Sequence, residues 1–172
     1  MKNNISWIYI VFLLAFILSI IFSSISSTIA HAFNSIVLII IGLIVISIGL
    51  LFDMIGVAVL TSKESSLHAK ASKKAKGAKQ AINLVKNSTQ VASICNDVVG
   101  DVCGIVSGTL GAVLAINIST KYNINITIIT VLITAIISSL TIGFKAVFKN
   151  IAMKNSDDIV FTVGKVISIF KK

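Results

Sequence analysis

Proline is missing from this chain, arginine is missing too, tryptophan occurs once, and six acidic residues stand against fifteen lysines over 172 positions. Charged residues make up only 12% of the chain and hydrophobic ones 56%, at a mean hydropathy of +1.01, which a water-soluble domain seldom shows. The net charge of +9 would point to nucleic acid in a soluble protein, but no aromatic-interleaved basic groove or binding motif accompanies it. There is no Cys-x-x-Cys pair, no phosphate-cradling glycine loop and no His placed for nucleophilic or zinc chemistry, so the chain does not read as an enzyme. Cys95 and Cys103 lie eight residues apart. That is roughly 12 Å along a helix, too far for a disulfide between them.

What is abundant is apolar sequence. A membrane span needs about 20 mostly apolar residues, and four runs qualify: Trp7 to Ser24, Ser35 to Leu60, Val91 to Ile116, and Ile126 to Phe144. The fold class is therefore an all-α integral membrane protein of four transmembrane helices, with an amphipathic membrane-surface helix between the second and third. Between Thr61 and Gln90 stand seven lysines against Glu64, a net +6. The positive-inside rule makes that connection cytoplasmic. Both termini are then cytoplasmic, in agreement with Lys2 at one end and Lys149, Lys154, Lys165, Lys171 and Lys172 at the other, and the location is the plasma membrane. The first run has a rival reading as a signal peptide, because Ala30-His31-Ala32 fits the small-x-small cleavage rule.

Within the basic connection, Leu67, Ala71, Ala75, Ala78, Ile82 and Val85 recur at helical spacing. The spacing predicts one helix over 63–88. Its basic face, Lys70, Lys73, Lys74, Lys76, Lys79 and Lys86, is solvated, touches anionic head groups or binds a partner. Near the C-terminus, Ser156 can cap, Asp157 and Asp158 suit a helix N-terminus, and Ile159, Val163, Val166 and Phe170 form a stripe. That tail, 159–172, packs on the bilayer or on the basic helix.

The third run alone is polar inside. An ionised Asp near the centre of a span costs about 2.5 to 3.5 kcal/mol, so such residues face protein or water. Counting from the cytoplasmic boundary brings Asp53, Asp97 and Asp101 to one depth, in two spans returned as antiparallel neighbours. Two carboxylates with Asn96 suit a hard cation that takes oxygen ligands, and a shared proton is the competing arrangement. Lys145 can neutralise one acid or snorkel to water. Gly49 and Gly56 on one span, and Gly100, Gly104 and Gly108 on the other, are spaced for close helix packing.

From Phe52 onward the chain resembles the transmembrane domain of the CorB/CorC and cyclin M family of magnesium and cobalt transporters. FDMIGVAVLTS resembles the end of that family's first core span, GAKQAINLVKNSTQVASI its membrane-surface helix, and TIGFKAVFKNIAMKNSD the close of its third. FDMIGVA with CNDVVGDVCGIVSG is similar to short, stand-alone bacterial relatives without the paired CBS domains. The resemblance covers residues 35–158 and leaves 1–34 as an added N-terminal helix and outer loop. It implies divalent-cation binding or transport, a magnesium or cobalt ion and a homodimer. Gly56-Val57 stands where the family has Ser-Glu, Phe144 replaces the Glu of Gly-Glu, and the Pro before Lys149 is missing. The implied ion site is therefore a rearranged one of Asp53, Asn96, Asp97 and Asp101. A membrane scaffold whose basic helix recruits a partner or anionic lipid, and a holin-like pore former, are the alternatives. The partners read from the sequence are the lipid bilayer and a second copy, without nucleic acid.

Overall fold

The computed structural model describes residues 2–170, leaving aside the side chains of 2–8 and 29–31. Lys171 and Lys172, and the side chains of Lys2, Ala30 and His31 named above, lie outside the described residues. These are all-helical, with no strand among them. In chain order the helices are α1 (Lys2–Ala32), α2 (Ser35–Thr61), α3 (Glu64–Ser72), α4 (Ala78–Lys86), α5 (Ser88–Ala92), α6 (Asp101–Tyr122), α7 (Ile126–Lys154) and α8 (Ser156–Phe170). A π-helical segment, Ser93–Gly100, joins α5 to α6. Four stretches are long and apolar enough to cross a membrane: Tyr9–Thr28, Ser35–Thr61, Ser88–Tyr122 and Ile126–Lys154. The four-span reading of the sequence holds at that level, and the helices run well past the apolar runs that announced them.

Several hydroxyl side chains within these helices are satisfied locally. Ser47, Thr109, Thr130, Thr134 and Thr141 each donate to the carbonyl four residues back, at 2.7 to 2.9 Å. A hydroxyl that returns its proton to its own helix leaves nothing unpaired for the surroundings to solvate. The α6–α7 connection is short for a similar reason. Asn123 ends α6 in the left-handed region at φ 53°, and Asn125 Oδ1 accepts the Thr127 N–H at 2.9 Å, which caps the start of α7.

The chain forms two compact units, residues 1–49 with 98–144, and residues 50–97 with 145–172. In the first unit, α1 packs along α6. Val102, Val106, Leu110 and Val113 recur every third or fourth residue along one face of α6 and are buried with Leu38 of α2, flanked by Leu18, Ile41 and Val45. Close approach is made by small residues. A Cβ at Gly49 would lie 2.9 Å from Cys103 Cβ, and one at Gly111 would lie 2.5 Å from Ile137 Cδ1. Gly104 and Gly108, which the sequence offers as packing residues, face open space, while Gly100 is buried. Gly111 does the work expected of them.

The second unit is built from α3, α4, α5 and α8 with the adjoining ends of α2 and α7. Its core is small: Ala58, Val59, Leu67, Ala81, Ala152 and Val160 are completely buried. The single helix expected over 63–88 is two helices. Lys74 sits in the left-handed region at φ 54°, and the N–H groups of Lys74 and Ala75 bond back to the carbonyls of Ala71 (2.8 Å) and Lys70 (3.2 Å). This is the helix-ending motif in which glycine normally holds the left-handed place; here a lysine does, which hides the stop from a reading of residue types. Gly77, at φ 89°, then opens α4.

The same glycine makes the tightest crossing in the unit. A Cβ at Gly77 would meet the backbone of Lys165 at 2.6 Å, and a Cβ at Gly164 would meet Gly77 O at 2.6 Å and Ala81 N at 2.8 Å. Helices α4 and α8 therefore touch backbone to backbone, and the tail packs on the basic segment, one of its two expected places. It does so with an unexpected face. The residues of α8 that are buried are Ser156, Val160 and Gly164. The stripe of Ile159, Val163, Val166 and Phe170 lies to the side, with Val166 and Phe170 exposed.

Candidate functional site

The polar residues of the second unit gather where α2, the π-helical segment and α7 meet. Asp53 Oδ2 lies 2.7 Å from Lys145 Nζ, and the two side chains are 15% and 43% exposed. The lysine reaches toward the surface while the carboxylate stays inside, the geometry of a long cationic stem serving a sheltered acid. Asp53 is thus neutralised by a residue more than ninety positions away.

One turn beyond Asp53 on α2 stands Gly56. A Cβ there would fall inside the amide of Asn96, so the place occupied by the Asn96 side chain exists only because residue 56 is glycine. Asn96 Oδ1 is buried and, among the described residues, has no hydrogen-bond partner. A buried acceptor left without a donor is uncommon and costs about 1 to 3 kcal/mol if nothing satisfies it. It is also the kind of oxygen a cation or an ordered water takes.

Asn96 lies in the π-helical stretch SICNDVVG. Wider turns of this kind slip side chains around the axis relative to α-helical spacing and recur at functional sites. Here they bury Cys95 and Val98 while Asp97 faces outward. Asp97 is exposed and accepts a hydrogen bond from Ser93 Oγ at 2.9 Å. Asp101, in the first turn of α6, is exposed as well. Among the described residues no group of three or more His, Cys, Asp or Glu side chains comes together to hold a metal ion. Of the four expected ligands, the structure places Asp53 and Asn96 on either side of Gly56 and leaves the other two acids open. Lys145 is the member whose partnership with Asp53 the sequence left undecided.

Against known families, curated proteins and solved structures, the chain finds no match. The resemblance to the CorB/CorC and cyclin M family therefore rests on the quoted motifs.

A second polar cluster joins α8 to the start of α3. Asp157 Oδ1 accepts from Ser62 Oγ at 2.7 Å and from the Lys63 N–H at 2.9 Å. Helix α3 has no side chain of its own capping its N-terminus, so the carboxylate of α8 supplies the charge that a helix start favours. Burial pushes the Asp157 carboxyl up, but the hydrogen bonds from Ser62, Lys63 and Ser66 and the nearby Lys70 ammonium outweigh it and hold the group below its ordinary value. Lys70, expected on the open basic face, is instead engaged: its Nζ lies 2.7 Å from Asp158 Oδ1 and 4.7 Å from the centre of the Phe161 ring. Lys165 stands over the same ring at 4.5 Å. Lys73, Lys74, Lys76, Lys79 and Lys86 are exposed.

Proposed function

We propose that this is a membrane protein that binds divalent cations of the magnesium or cobalt kind, and carries them, at a site made by Asp53 and Asn96 with Lys145 as the resident counter-cation. The observation that carries the reading is the buried, partnerless Asn96 oxygen, seated against Gly56 one helical turn from the Asp53–Lys145 pair. A carboxylate and an amide oxygen are donors a hard cation accepts. The ammonium supplies the positive charge the carboxylate requires when no ion is present, and its partial exposure gives it a route to water when one arrives. The site is smaller than the four-ligand set read from the sequence, so the remaining ligands are water.

The test uses purified protein in liposomes, with magnesium and cobalt binding and flux measured beside helicity. Asp53→Asn and Asn96→Leu should lower binding at least tenfold. Lys145→Met should raise affinity, because it removes the competing cation. A lysine with a purely structural role gives the opposite sign, loss of binding along with fold. If Lys145→Met leaves affinity unchanged and Asp53→Asn binds like the parent, the pair is a structural salt bridge and the cation reading fails.

A further inference from the structure

The first unit has a cavity of its own. Where the α1–α2 connection meets the last turns of α6, residues 33–36 and Asn117, Thr120 and Lys121 line a space of about 800 Å³, a size that small-molecule sites occupy. Its walls are chiefly polar, and most of that polarity is unused. Thr120 is satisfied, its hydroxyl donating to the Ile116 carbonyl. The side chains of Asn34, Ser35 and Asn117 make no hydrogen bond among the described residues, although Ser35 and Asn117 are half-buried. Lys121 enters no ion pair there either. Within residues 1–49 and 98–144 the sequence has one acid, Asp101, twenty positions before Lys121 on the same helix and so about 30 Å from it along the axis. A cavity that offers an ammonium group, two amides and a hydroxyl, with no carboxylate, suits a negatively charged ligand rich in acceptor oxygens. Its position adds a second argument. Ser35 opens one candidate membrane span and Tyr122 closes another, so in a bilayer the cavity lies at the level of the head groups. On its rim, Phe33 and Ile36 are 49% and 72% exposed.

We propose that this cavity binds a phosphate group, held by the Lys121 ammonium, the amides of Asn34 and Asn117 and the Ser35 hydroxyl. Several donors around one cation are what a phosphate with its clustered oxygens uses best. The exposed Phe33 and Ile36 favour phosphate carried by a phospholipid, whose acyl chains they accompany. A soluble phosphate would meet the same donors and leave that rim without a partner. The cavity lies wholly in the first unit, and its test does not depend on cation binding at Asp53 and Asn96.

The full chain carries a single tryptophan, so a Trp7→Phe, Phe33→Trp variant reports from the cavity rim alone. Purified in a maltoside detergent, which contains no phosphate, it is titrated separately with phosphatidylglycerol, with inorganic phosphate, and with diacylglycerol, which has acyl chains but no phosphate. A saturable change in fluorescence is expected with phosphatidylglycerol and none with diacylglycerol. Saturation by inorganic phosphate at similar affinity would support the phosphate site and assign it to a soluble source. In the same background Lys121→Ala should weaken the apparent affinity about tenfold, as the loss of one hydrogen bond to a charged group does, and Asn117→Ala about fivefold. Lys79→Ala, on an exposed lysine of the second unit, should leave it unchanged. Far-UV circular dichroism should be the same for all of them. A response to diacylglycerol equal to that with phosphatidylglycerol, no saturation with either phosphate-bearing probe, or parental affinity in both Lys121→Ala and Asn117→Ala would each overturn the proposal.

Discussion

Neutralising Asp53 and Lys145 one at a time and together measures what the ion pair contributes. At 2.7 Å and an effective dielectric of about 20, the gross attraction is roughly 6 kcal/mol. Most of that is cancelled by the cost of taking two charges out of water and by screening of the half-exposed ammonium. A net coupling of about 3 kcal/mol is expected. The exposures predict an asymmetry as well. Asp53→Asn leaves a lysine that can swing into water and should cost about 1 kcal/mol. Lys145→Met leaves a sheltered carboxylate with no cation and should cost about 3 kcal/mol. The double variant should behave like Asp53→Asn, because the lysine has no further use once the acid is gone. Reversible unfolding in mixed micelles with increasing dodecyl sulfate, followed by far-UV circular dichroism, gives the three free energies. A coupling below about 0.5 kcal/mol, or Asp53→Asn costing more than Lys145→Met, would refute the reasoning that the lysine serves the acid.

Gly164→Val puts methyl groups where Gly77 O and Ala81 N already stand within 3 Å of a Cβ, and should undock α8 at a cost of about 2 kcal/mol or more, read as faster amide exchange in α8. Lys74→Gly keeps the helix-ending hydrogen bonds and removes the left-handed penalty on a lysine; the second unit should gain about 0.5 to 1 kcal/mol, visible as a higher unfolding midpoint. The Asp157 carboxyl titrates lower in the fold than its ordinary 3.8, so its contribution is complete above that pH and disappears as the pH falls through the lower folded value. Protease cleavage at the α7–α8 junction should therefore stay slow down to about pH 4 and rise below it, and Asp157→Asn should remove that dependence.

The four long apolar helices were legible because uninterrupted apolar runs admit few other readings. Long-range pairings were not. Nothing near Asp53 in the chain names Lys145, and the counting that aligned Asp53, Asp97 and Asp101 assumed regular helical rise and spacing through Ser93–Gly100, where the helix is π. The break between α3 and α4 was hidden by its own chemistry, since a lysine holds the left-handed place where a reader looks for glycine. The tail lies on the basic segment, one of the two places its stripe allowed, but the stripe chosen as its packing face was the more hydrophobic one. Backbone proximity decided the contact, and Gly164 allows an approach that Val163 or Val166 cannot.

The helical stretch from Ser88 to Tyr122 is 35 residues long, where about 20 suffice to cross a hydrocarbon layer. At its end Lys121 Nζ lies 5.6 Å from the centre of the Tyr122 ring, and such residue types favour a membrane interface. In a bilayer, that surplus length would make membrane thickness a control on how much of the Ser93–Gly100 segment is immersed: a thicker layer would take in more of it and a thinner one less.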